Sequence, residues 1–137
     1  MIEIEITDEM HASAQSDVDK FVTTYQQRPR KHMGYDSMNR LVGMLGEQVF
    51  KKYLPQATHH SLDFGVDFTF NNYTIEVKST STWQDEPSED HSFYIPTYDR
   101  RVREADYLVL VCVSKCLSKG WIVGALIPSV DLTDNDW

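Results

Sequence analysis

Cysteine is nearly absent from this chain. Cys112 and Cys116 are the only two, spaced C-x3-C. That is too few for a disulfide framework and the wrong spacing for a paired metal knuckle, so free thiols in a reducing compartment are expected. Long apolar runs are missing as well. Nothing approaches the roughly 20 residues of a membrane-spanning helix, and the opening MIEIEITDEM is acidic where a secretory leader is basic. A cytoplasmic protein with no membrane partner is the expectation. Six glycines and five prolines punctuate the chain without forming a linker, a repeat or a low-complexity block. Positive charge is also in deficit: 13 Lys and Arg stand against 21 Asp and Glu, a net charge of −8. That balance argues against a generic nucleic-acid binder, whose phosphate contacts dominate affinity. Distribution qualifies it, because base clusters at Arg28–Lys31, Lys51-Lys52 and Arg100–Arg103 while acid clusters at both ends and at Asp85–Asp90.

What is present is globular. Hydrophobic residues make up 41% of the 137 and aromatics 12%, enough to close one core. Residues 1–137 therefore read as a single domain with an acidic tail over about 129–137. Ile2, Ile4 and Ile6 alternate with Glu3 and Glu5, a half-buried strand with a charged face, suited to a sheet edge. From Thr7 or Asp8 to about Gln27, apolar residues recur at helical steps (Ala14, Val18, Phe21, Val22, Tyr25), and Pro29 ends the helix. The basic loop RPRKHMGYD is either solvated or a phosphate contact. A second helix, capped by Asp36 or Ser37, spans about Met38–Tyr53 with Leu41, Leu45, Val49 and Tyr53 on its apolar stripe, widened by Val42 and Met38. Gly43 and Gly46 cost that helix about 1 kcal/mol each, the mark of close approach to another backbone. Pro55 stops it, and LPQATHHSLDFG connects onward as a loop. His59 and His60 point oppositely if extended and lack a third ligand, which speaks against zinc. Asp63 is a turn residue or an extra acid near a metal.

The most informative stretch is Ser61–Thr80, SLDFGVDFTFNNYTIEVKST. Val66–Phe70 and Tyr73–Ser79 alternate on either side of Asn71-Asn72, the signature of a β-hairpin. If that pair is the turn, Phe70 faces Tyr73 and Asp67 faces Glu76. Glu76 and Lys78 share one face, with Ile75 and Val77 on the other. Two carboxylates set opposite each other destabilise a sheet. A hard divalent cation would remove the conflict, since Mg²⁺ is held by one or two carboxylates plus water and substrate phosphate. Beyond Ser79, TSTWQDEPSEDHS reads as a long acidic loop or flap, in which Trp83 either stacks on a base or anchors the loop. Thr97 is the expected N-cap of a short helix bearing Arg100, Arg101 and Arg103. These either clamp a nucleic-acid backbone or pair with Asp99, Glu104 and Asp106. Tyr107–Val113 reads as a strand covered on both faces, SKCLSKG as a turn, and Trp121–Ile127 as a returning strand.

Asp67, then Glu76-Val77-Lys78, with Gly46-Glu47 on the preceding helix, resembles the PD-(D/E)XK nuclease superfamily, which includes restriction endonucleases, phage exonucleases and Holliday-junction resolvases. The likeness covers Leu41 to Ser79; Val66 stands where the motif's proline would be. It implies an α/β restriction-endonuclease-like sandwich with a mixed central sheet flanked by helices. It also implies Mg²⁺ or Mn²⁺ held by Asp67, Glu76, the Val77 carbonyl and Glu47, with Lys78 orienting the attacking water. DNA is the implied partner, with Lys51, Lys52, Arg100, Arg101 and Arg103 as the nearby cations. The small size fits a phage-type or resolvase-like enzyme that grips its substrate as a homo-oligomer. The alternative is a noncatalytic nucleic-acid- or protein-binding module on the same fold.

Overall fold

A computed structural model describes residues 1–25, 37–60, 65–84, 86–88, 91–93, 95 and 99–132. The expectations for the basic loop Arg28–Lys31, for Asp36, Asp63 and Thr97, and for the end of the acidic tail lie outside them. The chain runs β1 (Ile2–Glu5), α1 (Asp8–Tyr25), α2 (Ser37–Tyr53), β2 (Thr58–His59), β3 (Phe68–Phe70), β4 (Tyr73–Thr82), α3 (Arg100–Glu104), β5 (Tyr107–Ser114), β6 (Lys119–Leu126) and α4 (Pro128–Asp131). The six strands form one mixed sheet in the order β1-β6-β5-β4-β3-β2. Only β4 and β5 pair in parallel; the other neighbours are antiparallel. The fold is therefore mixed α/β.

Alternation along β5 sorts its side chains onto two covered faces. Val109, Val111 and Val113 join Ala14, Val18, Leu45, Val49 and Phe50 in the main core, so α1 and α2 lie on that side. Leu108 and Cys112 are fully buried on the other. The crossover that a parallel pair requires runs over this second face. It brings His91 Nε2 to 3.9 Å from Cys112 Sγ and Asp99 Oδ2 to 3.9 Å from Lys78 Nζ.

The hairpin register holds as expected: Phe70 pairs with Tyr73 and Phe68 with Ile75. Asn71 and Asn72 both take positive φ, 49° and 68°, the requirement of a type I′ turn that a side-chain amide tolerates. Several expectations need correction. β1 is an edge strand, but Ile2 is 42% exposed, because the helices reach inward only as far as Ile4 and Ile6. On α2 the buried stripe is Val42, Leu45, Val49 and Phe50, whereas Met38 and Tyr53 stand exposed at its two ends. The connecting stretch after α2 is not wholly loop, since Thr58 and His59 pair with Thr69 and Phe68 as the outer strand. β4 continues through Thr82 beside β5, past the expected start of the flap. The N-cap of α3 is Asp99, whose carboxylate accepts the Arg101 N–H at 2.9 Å.

Gly46 carries out the close approach expected of a helix glycine. A Cβ there would run into the Ser79 hydroxyl and come within 2.8 Å of Ser79 Cβ, so α2 seats directly on β4. Gly43 has open space around it and plays no such part.

Candidate active site

Glycine at position 46 determines where Glu47 can reach. With α2 pressed against β4 at Ser79, the next residue comes within 2.9 Å of His59 on β2, its side chain 14% exposed. Asp67 immediately precedes β3 and Glu76 lies in β4, so the register that pairs Phe68 with Ile75 sets the two acids side by side. Their main chain and side chains interlock. The Asp67 N–H donates to Glu76 Oε1 at 3.1 Å, and the Val77 N–H donates to Asp67 Oδ2 at 2.9 Å.

Burial dominates the electrostatics of the cluster. Burial pushes the Asp67 carboxyl well above the ordinary range, and the charges of Glu47 and Glu76 push it further; the Val77 N–H and Lys78 pull the other way. Glu76, 2% exposed, is raised to about 7, again chiefly by burial, with Asp99 adding to the rise. Lys78, Arg101 and the Asp67 N–H oppose it. Lys78 Nζ stands 3.8 Å from Glu76 Oε2 and 3.9 Å from Asp99 Oδ2, held between two acids at the edge of ion-pair range.

No family model matches the chain, and no curated protein matches it. The donor chemistry must therefore speak for itself. Among the described residues no three His, Cys, Asp or Glu side chains form a ready-made cage. A complete set of protein ligands is what structural zinc requires. Mg²⁺ keeps most of its water and takes one or two carboxylates. Asp67 and Glu76, with Glu47 close enough to raise Asp67, fit that lighter demand.

The sequence alone places His59 in a loop, with zinc as its only special role. It proves to be a member of this neighbourhood. Its Nε2–H donates to Glu47 Oε1 at 2.9 Å, and its ring stacks on Phe68 with centroids 4.5 Å apart and planes 11° from parallel. His60, pointing the other way as alternation requires, puts Nε2 2.8 Å from the Thr69 hydroxyl. Asp99, from sequence a candidate arginine partner only, has a second contact. It reaches Lys78 because the β4–β5 crossover folds it back over the sheet. Nothing in a one-dimensional pattern pairs residues 47 and 59, or 78 and 99.

The expected nucleic-acid contacts separate. Arg101 lies near enough to lower Glu76, placing it beside the acid cluster. Arg100 pairs with Glu104 at 2.9 Å on open surface, and Arg103 is exposed on the same short helix. Asp106 accepts the Thr74 N–H at 2.8 Å and its hydroxyl at 3.2 Å, a tie between the start of β5 and the hairpin. Lys52 Nζ donates to the Glu5 carbonyl at 3.3 Å, occupied in joining α2 to β1. Lys51 lines a cleft between α1 and α2. Trp83 is 82% exposed and carries the Lys115 ammonium over its ring. The cysteines are free and outside the cluster: burial pushes Cys112 up to about 11, and Cys116 is exposed beside the Ser118 hydroxyl.

Proposed function

We propose that this protein is a divalent-metal-dependent nuclease that hydrolyses phosphodiester bonds in DNA, built on a restriction-endonuclease-like sandwich. One observation carries the reading: Asp67, Glu76 and Lys78 converge at the mouth of one hairpin, with the charge of Glu47 reaching the same point from α2. Covered faces on both sides of a mixed sheet favour the fold. Asp67 and Glu76 would hold the cation with help from the Val77 carbonyl, and Glu47 would hold a second ion or a water. A bound Mg²⁺ or Mn²⁺ supplies a Lewis acid for the scissile phosphate and a water of lowered pKa. Lys78 orients that water and balances the charge that builds on the phosphate oxygens during attack. Asp99 holds the Lys78 ammonium over the sheet, and Arg101 offers the same phosphate a second cation.

The test is Mn²⁺-dependent degradation across linear, circular, branched and single-stranded DNA, run beside Glu76→Ala and Lys78→Ala. Cleavage by the parent and its loss in both folded variants is the expected outcome. Full activity in either variant refutes the assignment. A parent that binds DNA regardless of metal identity and never cuts it is the noncatalytic module instead.

A further inference from the structure

A polar cleft of about 430 Å³ opens between α1, α2 and β2, lined by Ser13, Ser16, Lys20, Gln48, Lys51 and His59. Its volume falls in the range of small-ligand sites, and its chemistry suits an anion. Two ammonium groups approach from adjacent helices, and two hydroxyls and a carboxamide add neutral donors. Asp17 is the one carboxylate among the lining residues. Gln48, only 7% exposed, is among the residues lining this space. On a chain of net charge −8, a local pair of lysines in a concave wall draws anions to that wall rather than to the surface at large.

The cleft is joined to the acid cluster by one side chain. The His59 ring forms part of its lining, while His59 Nε2 holds Glu47 at 2.9 Å. A strand seated there lies beside the hairpin mouth. We propose that the α1–α2–β2 cleft is a backbone-phosphate subsite, which grips the nucleic-acid strand a short distance from the bond to be cut. The choice of a polynucleotide as the phosphate's carrier rests on the nuclease reading above; the anion preference rests on the cleft alone.

The experiment uses the full chain carrying Glu76→Gln, in EDTA, with a short fluorescein-labelled single-stranded oligonucleotide. Adding Lys20→Ala and Lys51→Ala, both at exposed helix positions, should weaken binding by roughly tenfold and flatten the slope of log K against log salt by about 1.4, two phosphate contacts at single-strand strength. The charge-matched control Lys115→Ala/Lys119→Ala should leave both unchanged, and the Gln48 side-chain amide should shift on titration with the oligonucleotide. An unchanged affinity and slope in the Lys20/Lys51 variant overturns the subsite, even if the parent cuts DNA. Inorganic phosphate displacing the oligonucleotide at equal affinity also overturns it, in favour of a small-anion site. Weakened binding by that variant, together with a parent that never cuts DNA, supports the subsite and refutes the nuclease reading instead.

Discussion

A carboxyl that keeps its proton to about pH 7 inside the fold, but releases it near 4.5 when the chain unfolds, ties Glu76 to stability as well as to chemistry. Between those values the folded state carries the extra proton. Its contribution therefore falls as pH rises from about 4.5 and levels off above about 7. Glu76→Gln removes that dependence. At pH 8 without metal the variant should melt about 5 °C higher than the parent, and at pH 5 nearly the same, which thermal denaturation at the two pH values checks. Cleavage should be lost at both. Lys78→Ala should lower turnover by roughly 100-fold or more, since it removes charge balance made only in the transition state. Its folded state should also lose the cation 3.8 Å from Glu76 Oε2, so the Glu76 proton is held to still higher pH. A third side chain is in tension without a chemical role: Ser79 Oγ is buried with no hydrogen-bond partner among the described residues. Ser79→Ala should stabilise the protein by about 1 kcal/mol, read from a shifted denaturant midpoint at constant slope.

At the scale of elements, the hairpin and α2 make the site, and each was legible to a different degree. The hairpin followed from local rules. Alternation, an Asn-Asn turn with both φ positive and period-two geometry placed Asp67 beside Glu76 without reference to anything distant. The depth of α2 did not follow in the same way. Glycine at 43 and at 46 looks alike in one dimension, yet only Gly46 meets a neighbouring strand. The difference lies in which side of the helix the sheet happens to occupy. Gly46→Ala should cost about 1–3 kcal/mol by overpacking and should weaken Mn²⁺ binding by displacing Glu47, whereas Gly43→Ala should be neutral to stabilising. Chemical denaturation and Mn²⁺ titration of both variants distinguish the two positions. β2 shows the limit from the other side. Two residues are too short for any periodic signal, and only pairing with Thr69 and Phe68 turns them into a strand that aims His59 at Glu47.

For the molecule as a whole, the proposed metal binding would compete with protonation for the same carboxylates, so the two would be linked. Mn²⁺ should raise the melting temperature of the parent more at pH 8 than at pH 6, because at pH 6 the ion must displace protons from Asp67 and Glu76. In Glu76→Gln the metal-induced rise should largely vanish; an equal rise at both pH values would sink the linkage. Ca²⁺ should bind and stabilise without supporting turnover. Charge distribution belongs to this scale too. A net charge of −8 weighs against a nucleic-acid partner, whereas folding gathers Lys20 and Lys51 into one concave wall. By itself, the order of residues determined the periodicity of two helices, the register of the hairpin and hence the adjacency of its two acids, because all of these depend on neighbours within a few positions. The tertiary structure alone decided that His59 would hold Glu47, that Asp99 would hold Lys78, and that Ile2, Met38 and Tyr53 would stay at the surface. Those outcomes depend on which elements pack together and how closely, and a contact across the sheet leaves no trace in local spacing.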